Sequence, residues 1–122
     1  MKNAKNILRE ICNAHSIDLT YTEAKDMLYV LDMDMNNNFY FEVQGMEFRI
    51  IHEDDIWDLY VEEIKNTTEE CYLGGSEIPS FIAIDWEETA KNCYDVDGYA
   101  HTFAHYDGEE LNAGDYYIFR TN

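Results

Sequence analysis

The 122 residues predict an α+β fold: one domain, with an antiparallel sheet of about four strands and helices packed on one face. Three observations carry this. Apolar residues recur at helical spacing near the start and again in the middle of the chain. They alternate two by two between residues 39 and 50. The chain closes on a strand-like aromatic run, DYYIFR.

The length suits a single domain. Hydrophobic residues make up 46%, with ten Tyr, six Phe and two Trp, enough for a real core and unlike a disordered acidic tail. Cys12, Cys71 and Cys93 are odd in number and far apart, which points to a reducing compartment rather than a disulfide framework. No apolar run is long enough for a signal peptide or for the ~20 residues of a membrane span. The expected location is the cytoplasm.

Residues 3–15 read as an amphipathic helix with Ile7, Leu8, Ile11 and Cys12 on one face. A second helix starts after Thr20, whose spacing to Glu23 is that of a capping box. Ala24, Met27, Leu28 and Leu31 form its apolar stripe. Asp32, Asp34, Asn36 and Asn38 then alternate oxygen side chains like the opening of an EF-hand calcium loop. Asn37 stands where that loop wants Gly and Val43 where it wants Glu, so a polar turn is the better reading.

Residues 38–52 read as a hairpin. A tight turn at Gln44-Gly45 sets Val43 opposite Met46 and Phe41 opposite Phe48, giving one apolar face. The same register sets Glu42 opposite Glu47, a like-charge pair that folding alone would not select.

The stretch 53–97 is the centre of the reading. It holds fourteen acidic side chains and two basic ones, Lys65 and Lys91. Glu53, Asp54 and Asp55 suit a helix N-terminus. Trp57, Val61, Ile64, Thr68 and Cys71 form the expected inward seam. Asp54, Asp58 and Glu62 make a row at i, i+4, i+8, about 6 Å apart. Glu62 and Glu69, and Glu63 and Glu70, are each spaced by seven. Gly74-Gly75 should end this helix, and a short helical stretch should open at Pro79. Asp85 and Glu88 have capping-box spacing for a helix over 86–92, with Trp86, Ala90 and Cys93 inward. After a turn at Asp97-Gly98, residues 99–106 and 115–120 read as strands joined by DGEELNAG.

No motif for nucleophilic catalysis or phosphate binding is present. On a strand, His101 and His105 would share a face about 13 Å apart, too far for one ion. No catalytic residue, cofactor or metal is expected. The chain carries net −18, which disfavours nucleic acid and anionic membranes as direct partners. The acids themselves are then the candidate site. Duplex DNA carries one charge per ~1.7 Å of axis, so eighteen charges match roughly 30 Å of duplex if they concentrate on one face.

Towards the C-terminus the residues Ile78-Pro79, Ile84-Asp85-Trp86-Glu87 with Ala90, Gly98-Tyr99 and Tyr117-x-Phe119-Arg120 form a pattern. It resembles the C-terminal part of ArdA-type antirestriction proteins, and the small acidic layout is similar to that of phage and mobile-element proteins. The resemblance implies a non-enzymatic DNA mimic that occupies the DNA-binding surface of a restriction–modification or other defence enzyme, in a family with many dimers. The expected partner-binding acids are Asp54, Asp55, Asp58, Glu62, Glu63, Glu69, Glu70, Asp85, Glu87 and Glu88. Two other readings remain open on the residues alone. One is a small interaction module, such as an inhibitor or antitoxin of a basic partner. The other is a calcium-binding protein using Asp32, Asp34, Asn36 and Asn38.

Overall fold

A computed structural model describes residues 2–71 and 81–122. The elements run α1 (Lys2–His15), α2 (Tyr21–Asp34), β1 (Asn38–Val43), β2 (Met46–His52), α3 (Glu53–Cys71), α4 (Trp86–Asp97), α5 (Ala100–Phe103), β3 (Leu111–Ala113) and β4 (Tyr116–Arg120). The four strands form one antiparallel sheet in the order β1-β2-β4-β3. Among the described residues no helix is long and apolar enough to cross a membrane. The expected helix end at Gly74-Gly75 and helix start at Pro79 lie outside the described residues.

The first hairpin has the expected register, with Val43 opposite Met46, Phe41 opposite Phe48, and Glu42 opposite Glu47. Gln44 and Gly45 take φ of 51° and 81°, the two positive values that a type I′ turn needs. The β3–β4 hairpin closes just as tightly through Gly114-Asp115.

Helices cover both faces of the sheet, not the one face expected. Antiparallel partners point to the same side, so Phe39, Phe41, Val43, Phe48, Ile50, Tyr116 and Ile118 share a face. They pack with Ala4, Ile7, Leu8, Ile11 and Leu31 from α1 and α2. On the reverse face Ile51 and Phe119 pack with Ile56 and Tyr60 of α3, Ala90 of α4 and Phe103 of α5. The cause is local: Ile50-Ile51 and Ile118-Phe119 are consecutive apolar pairs on central strands, which alternation would make half polar.

Residues 99–106 are not a strand. Gly98 ends α4 at φ 72° with its N–H on the Tyr94 carbonyl, and the chain then makes the short α5. Tyr99 and Phe103 are four apart with their rings tilted against each other at 6.4 Å, a helical spacing that outweighs the β preference of the aromatics. The strand partner comes instead from the expected loop, as β3.

Asp32 and Asp34 lie within α2, two residues apart and so on different sides of the helix. Asn36 Oδ1 accepts the Asn38 N–H at 2.9 Å, and Asn38 Oδ1 accepts the Arg49 Nε–H at 3.1 Å. Asn36 and Asn38 thus make a polar turn tied to β2, while the two aspartates belong to the helix before it. Among the described residues no three His, Cys, Asp or Glu side chains gather as a metal site.

Candidate functional site

Helix α3 begins where β2 ends. The Glu53 N–H reaches the Asp115 carbonyl at 2.8 Å, and the Asp54 N–H is accepted by His52 Nδ1 at 3.1 Å. The helix start is thereby fixed to the sheet. Glu53, Asp54 and Asp55 occupy its first turn, where the partial positive charge of the N-terminus favours them.

At 100° per residue the buried Ile56 and Tyr60 define the inward direction of α3. This is turned from the expected seam. Trp57, Val61 and Ile64 only flank the core, and Cys71 is exposed. The seam at Trp57 and Val61 misplaces the centre because Tyr60, ringed by Trp57, Tyr94, Tyr99 and Phe103, supplies most of the packing.

Directly away from that core stand Asp58 and Glu62, both exposed, with Asp54, Asp55 and Glu69 beside them. These five fall within an arc of about 100°. Glu63 and Glu70 sit roughly 100° round the helix from Glu62 and Glu69, so they form a second edge. Glu63 lines a groove of about 320 Å³ with Tyr60, Asp97, His101 and His105. His101 lies on the short α5 and His105 two residues past its end, so neither is on a strand.

The α4 acids divide by task. Asp85 caps the helix, its Oδ1 accepting the Glu88 N–H at 3.0 Å. The reciprocal half of the expected capping box is not formed. Glu87 accepts the Trp57 indole N–H at 2.7 Å and ties α4 to α3. Glu88 is exposed. Helix α4 runs to Asp97, five residues past the expected end, which adds exposed Asp95 and Asp97 to the same layer. The expected site had omitted both, although they sit in the acidic run.

Tyrosines lie under this layer. Tyr60 is pushed up to about 12, first by burial and then by Cys93 and Asp97. Tyr99 is likewise pushed to about 12 by burial, with Tyr94, Tyr117 and Glu110 adding to it. Burial also raises Glu110.

The distribution of charge follows the layers. Described residues 53–71 and 81–110, which make α3, α4, α5 and the loop after them, hold sixteen acids against Lys65 and Lys91, net −14. Residues 2–52 and 111–122, which make the sheet and the opposite helical layer, hold nine acids against six bases, net −3. The acidity is thus on one side of the sheet. Among the described residues no Lys or Arg lies within ion-pair distance of Asp58, Glu62, Glu63, Glu69, Glu70 or Glu88.

No protein-family model, curated protein or solved structure matches the chain.

Proposed function

We propose that this chain is a non-enzymatic DNA mimic of a phage or mobile element, acting in the cytoplasm on the DNA-binding surface of a host defence enzyme. The observation that carries the reading is the segregation of charge: net −14 on one helical layer and −3 on the rest of the described fold. At ~1.5 Å per residue, the nineteen residues of α3 span about 28 Å. A duplex of that length carries roughly 16 charges. The layer therefore offers a field of duplex strength on the scale of the expected footprint. Ile78-Pro79 lie outside the described residues; of the other antirestriction-like residues, Asp85, Trp86, Glu87 and Ala90 open α4, Gly98-Tyr99 end it, and Tyr117 and Phe119 of β4 lie beneath it.

The mechanism is a summed field. Exposed carboxylates stand where phosphates would lie, and a basic DNA-binding cleft releases its counterions to them. Asp54, Asp55, Asp58, Glu62 and Glu69 form the main row. Glu63, Glu70 and Glu88 broaden it, and Asp85 and Glu87 shape it through their internal bonds.

The test is capture. The protein is immobilised, a nuclease-treated bacterial lysate is passed over it, and bound proteins are eluted with salt. DNA-binding defence enzymes that are displaced by competing duplex DNA are the expected product. Asp58→Ala alone should leave affinity within about threefold. Asp54→Lys, Asp58→Lys and Glu62→Lys combined should weaken it roughly a hundredfold or more, since like charges facing across an interface cost several kcal/mol. A single basic protein indifferent to duplex DNA would replace this reading with a dedicated inhibitor or antitoxin.

A further inference from the structure

The sheet order leaves β1 and β3 at the edges. β3 has three residues, whereas β1 runs for six. Edges of that length are usually blunted by Lys, Pro or a bulge. β1 has no Lys or Pro, and its register with β2 is unbroken. The parity of the hairpin fixes which of its backbone groups look outward. The two-residue turn makes Val43 and Met46 a hydrogen-bonded pair, so Phe41 and Phe39 also bond to β2. Asn37 continues the alternation, its carbonyl accepting the His52 N–H at 2.7 Å. Glu47, opposite Glu42, bonds the other way: its N–H goes to Asn122 Oδ1 and its carbonyl accepts the Thr121 N–H. The N–H and C=O of Tyr40 and Glu42 therefore point out of the sheet edge, as does the Asn38 carbonyl. The Asn38 N–H is held by Asn36 Oδ1. Among the described residues nothing bonds these outward groups of Asn38, Tyr40 and Glu42.

At the Glu42 end of this edge a groove of about 190 Å³ lies between β1 and α2. Leu19, Met27 and Val43 give it apolar walls. Glu23, Asp26 and Glu42 are its acids, and no Lys or Arg lines it. All three acids are exposed. Glu23 lends one oxygen to the Thr20 N–H, and among the described residues none of the three has an ion-pair partner. Glu42 also faces Glu47 across the ladder. Glu47 takes the Thr121 hydroxyl at 2.7 Å, whereas Glu42 has no partner among the described residues. Apolar walls with acids around them suit an aliphatic stem that ends in a cation, which is Lys or Arg.

We propose that the β1 edge binds an extended basic segment of a partner protein as a fifth, antiparallel strand. Its main chain would bond to Asn38, Tyr40 and Glu42, which is strand addition. Its side chains would alternate between the faces, with a Lys or Arg on the α2 side entering the groove. Charge selects this occupant. A second copy would bring the same acids to the edge, and a neutral strand would leave all three unpaired. A basic strand sets opposite charges across the ladder, the favourable arrangement. The net −18 of the chain attracts cations everywhere, but only this edge adds main-chain bonds. The surface lies on other elements than the α3 row, and the inference is independent of the mimic reading.

The probe is a nine-residue synthetic peptide that alternates lysine with valine and has blocked ends. Amide hydrogen exchange is read by NMR. The Tyr40 and Glu42 amides should slow roughly tenfold or more at a peptide concentration below about 1 mM. The Phe39 and Phe41 amides, already bonded to β2, should change little. With lysines on the α2 side, the valine amides face β1. Methylating the valine nitrogens should weaken binding roughly tenfold or more, and methylating the lysine nitrogens should not, although both forms keep every charge. Asp26→Asn with Glu42→Gln should weaken it about fivefold, whereas Asp107→Asn with Glu109→Gln, the same change of charge elsewhere, should leave it within about twofold. No slowing at Tyr40 and Glu42, a valine-methylated peptide that binds no worse than the lysine-methylated one, or equal losses from the two double variants would overturn the proposal.

Discussion

Tyr60 shows how one residue binds the candidate site to the fold. It is fully buried at the junction of α3, α4 and α5, with rings of Trp57, Tyr94, Tyr99 and Phe103 within 5.2 to 6.2 Å. Three of these contacts, with Tyr94, Tyr99 and Phe103, are edge-on, and such pairs add about 0.5–1.5 kcal/mol each beyond the area they bury. Burial also makes the fold dependent on neutral phenols. Tyr60 and Tyr99 are both pushed to about 12 from an ordinary value of 10.0. A folded value above the unfolded one means the stabilisation is complete below about pH 10 and is lost as pH rises through 12. Alkaline unfolding should therefore coincide with the last phenolate absorbance to appear, and Tyr60→Phe should move the midpoint to higher pH if it folds. Early, independent ionisation of all ten tyrosines would show that the cluster is open to water. The sequence made the abundance of aromatics plain, but not that Tyr60 rather than Trp57 is the hub. Both lie on the same side of the helix, and only the position of α5 decides between them. The partner of Glu47 was equally hidden: its carboxylate takes the Thr121 hydroxyl at 2.7 Å from 74 residues away.

Among the elements, those with a strong period and a local signal were legible. The α2 capping box is complete, with Thr20 Oγ1 accepting the Glu23 N–H at 3.2 Å and Glu23 Oε1 accepting the Thr20 N–H at 3.1 Å. The first hairpin keeps its register for the same reason, a turn that can close only one way. Residues 99–106 differ from the strand their composition predicts because Tyr, Phe and Thr favour strands in general, while the deciding feature is the four-residue spacing after a helix-ending Gly98. The second apolar face was visible in Ile50-Ile51 and Ile118-Phe119, but its cover, α3 to α5, was not assignable without the topology. Helix α4 offers an element-scale prediction. Among the described residues its N-terminal side-chain cap is Asp85 on the Glu88 N–H, and Glu88 returns no bond to Asp85. Asp85→Ala should cost about 1 kcal/mol of stability in urea unfolding, and Glu88→Gln should leave it within about 0.5 kcal/mol. Equal losses from both would mean that the full capping box forms in solution.

Over the whole molecule the layers divide labour. The sheet and the α1–α2 layer carry most of the hydrophobic core, and the α3–α5 layer carries the charge. Such a layer is a poor choice for stability alone. Like charges at i, i+4 oppose helix formation by about 0.2–0.5 kcal/mol per pair, and Asp58 makes two such pairs, with Asp54 and with Glu62. It is exposed, and burial gives no reason to keep an acid there. If the row exists to be bound, its repulsion is retained against folding, and stability and binding should move in opposite directions when it is relieved. Asp58→Lys tests this directly, because it turns both repulsive pairs into attractive ones while leaving the first-turn acids at the helix N-terminus. Unfolding in urea should show a gain of about 1 kcal/mol at low salt, shrinking as salt screens the charges, while affinity for a captured DNA-binding partner falls. A loss of stability would mean that Asp58 serves the fold. A gain in stability with partner affinity unchanged would make the row an ordinary solvated face, and the surface that acts would have to be sought elsewhere on the molecule.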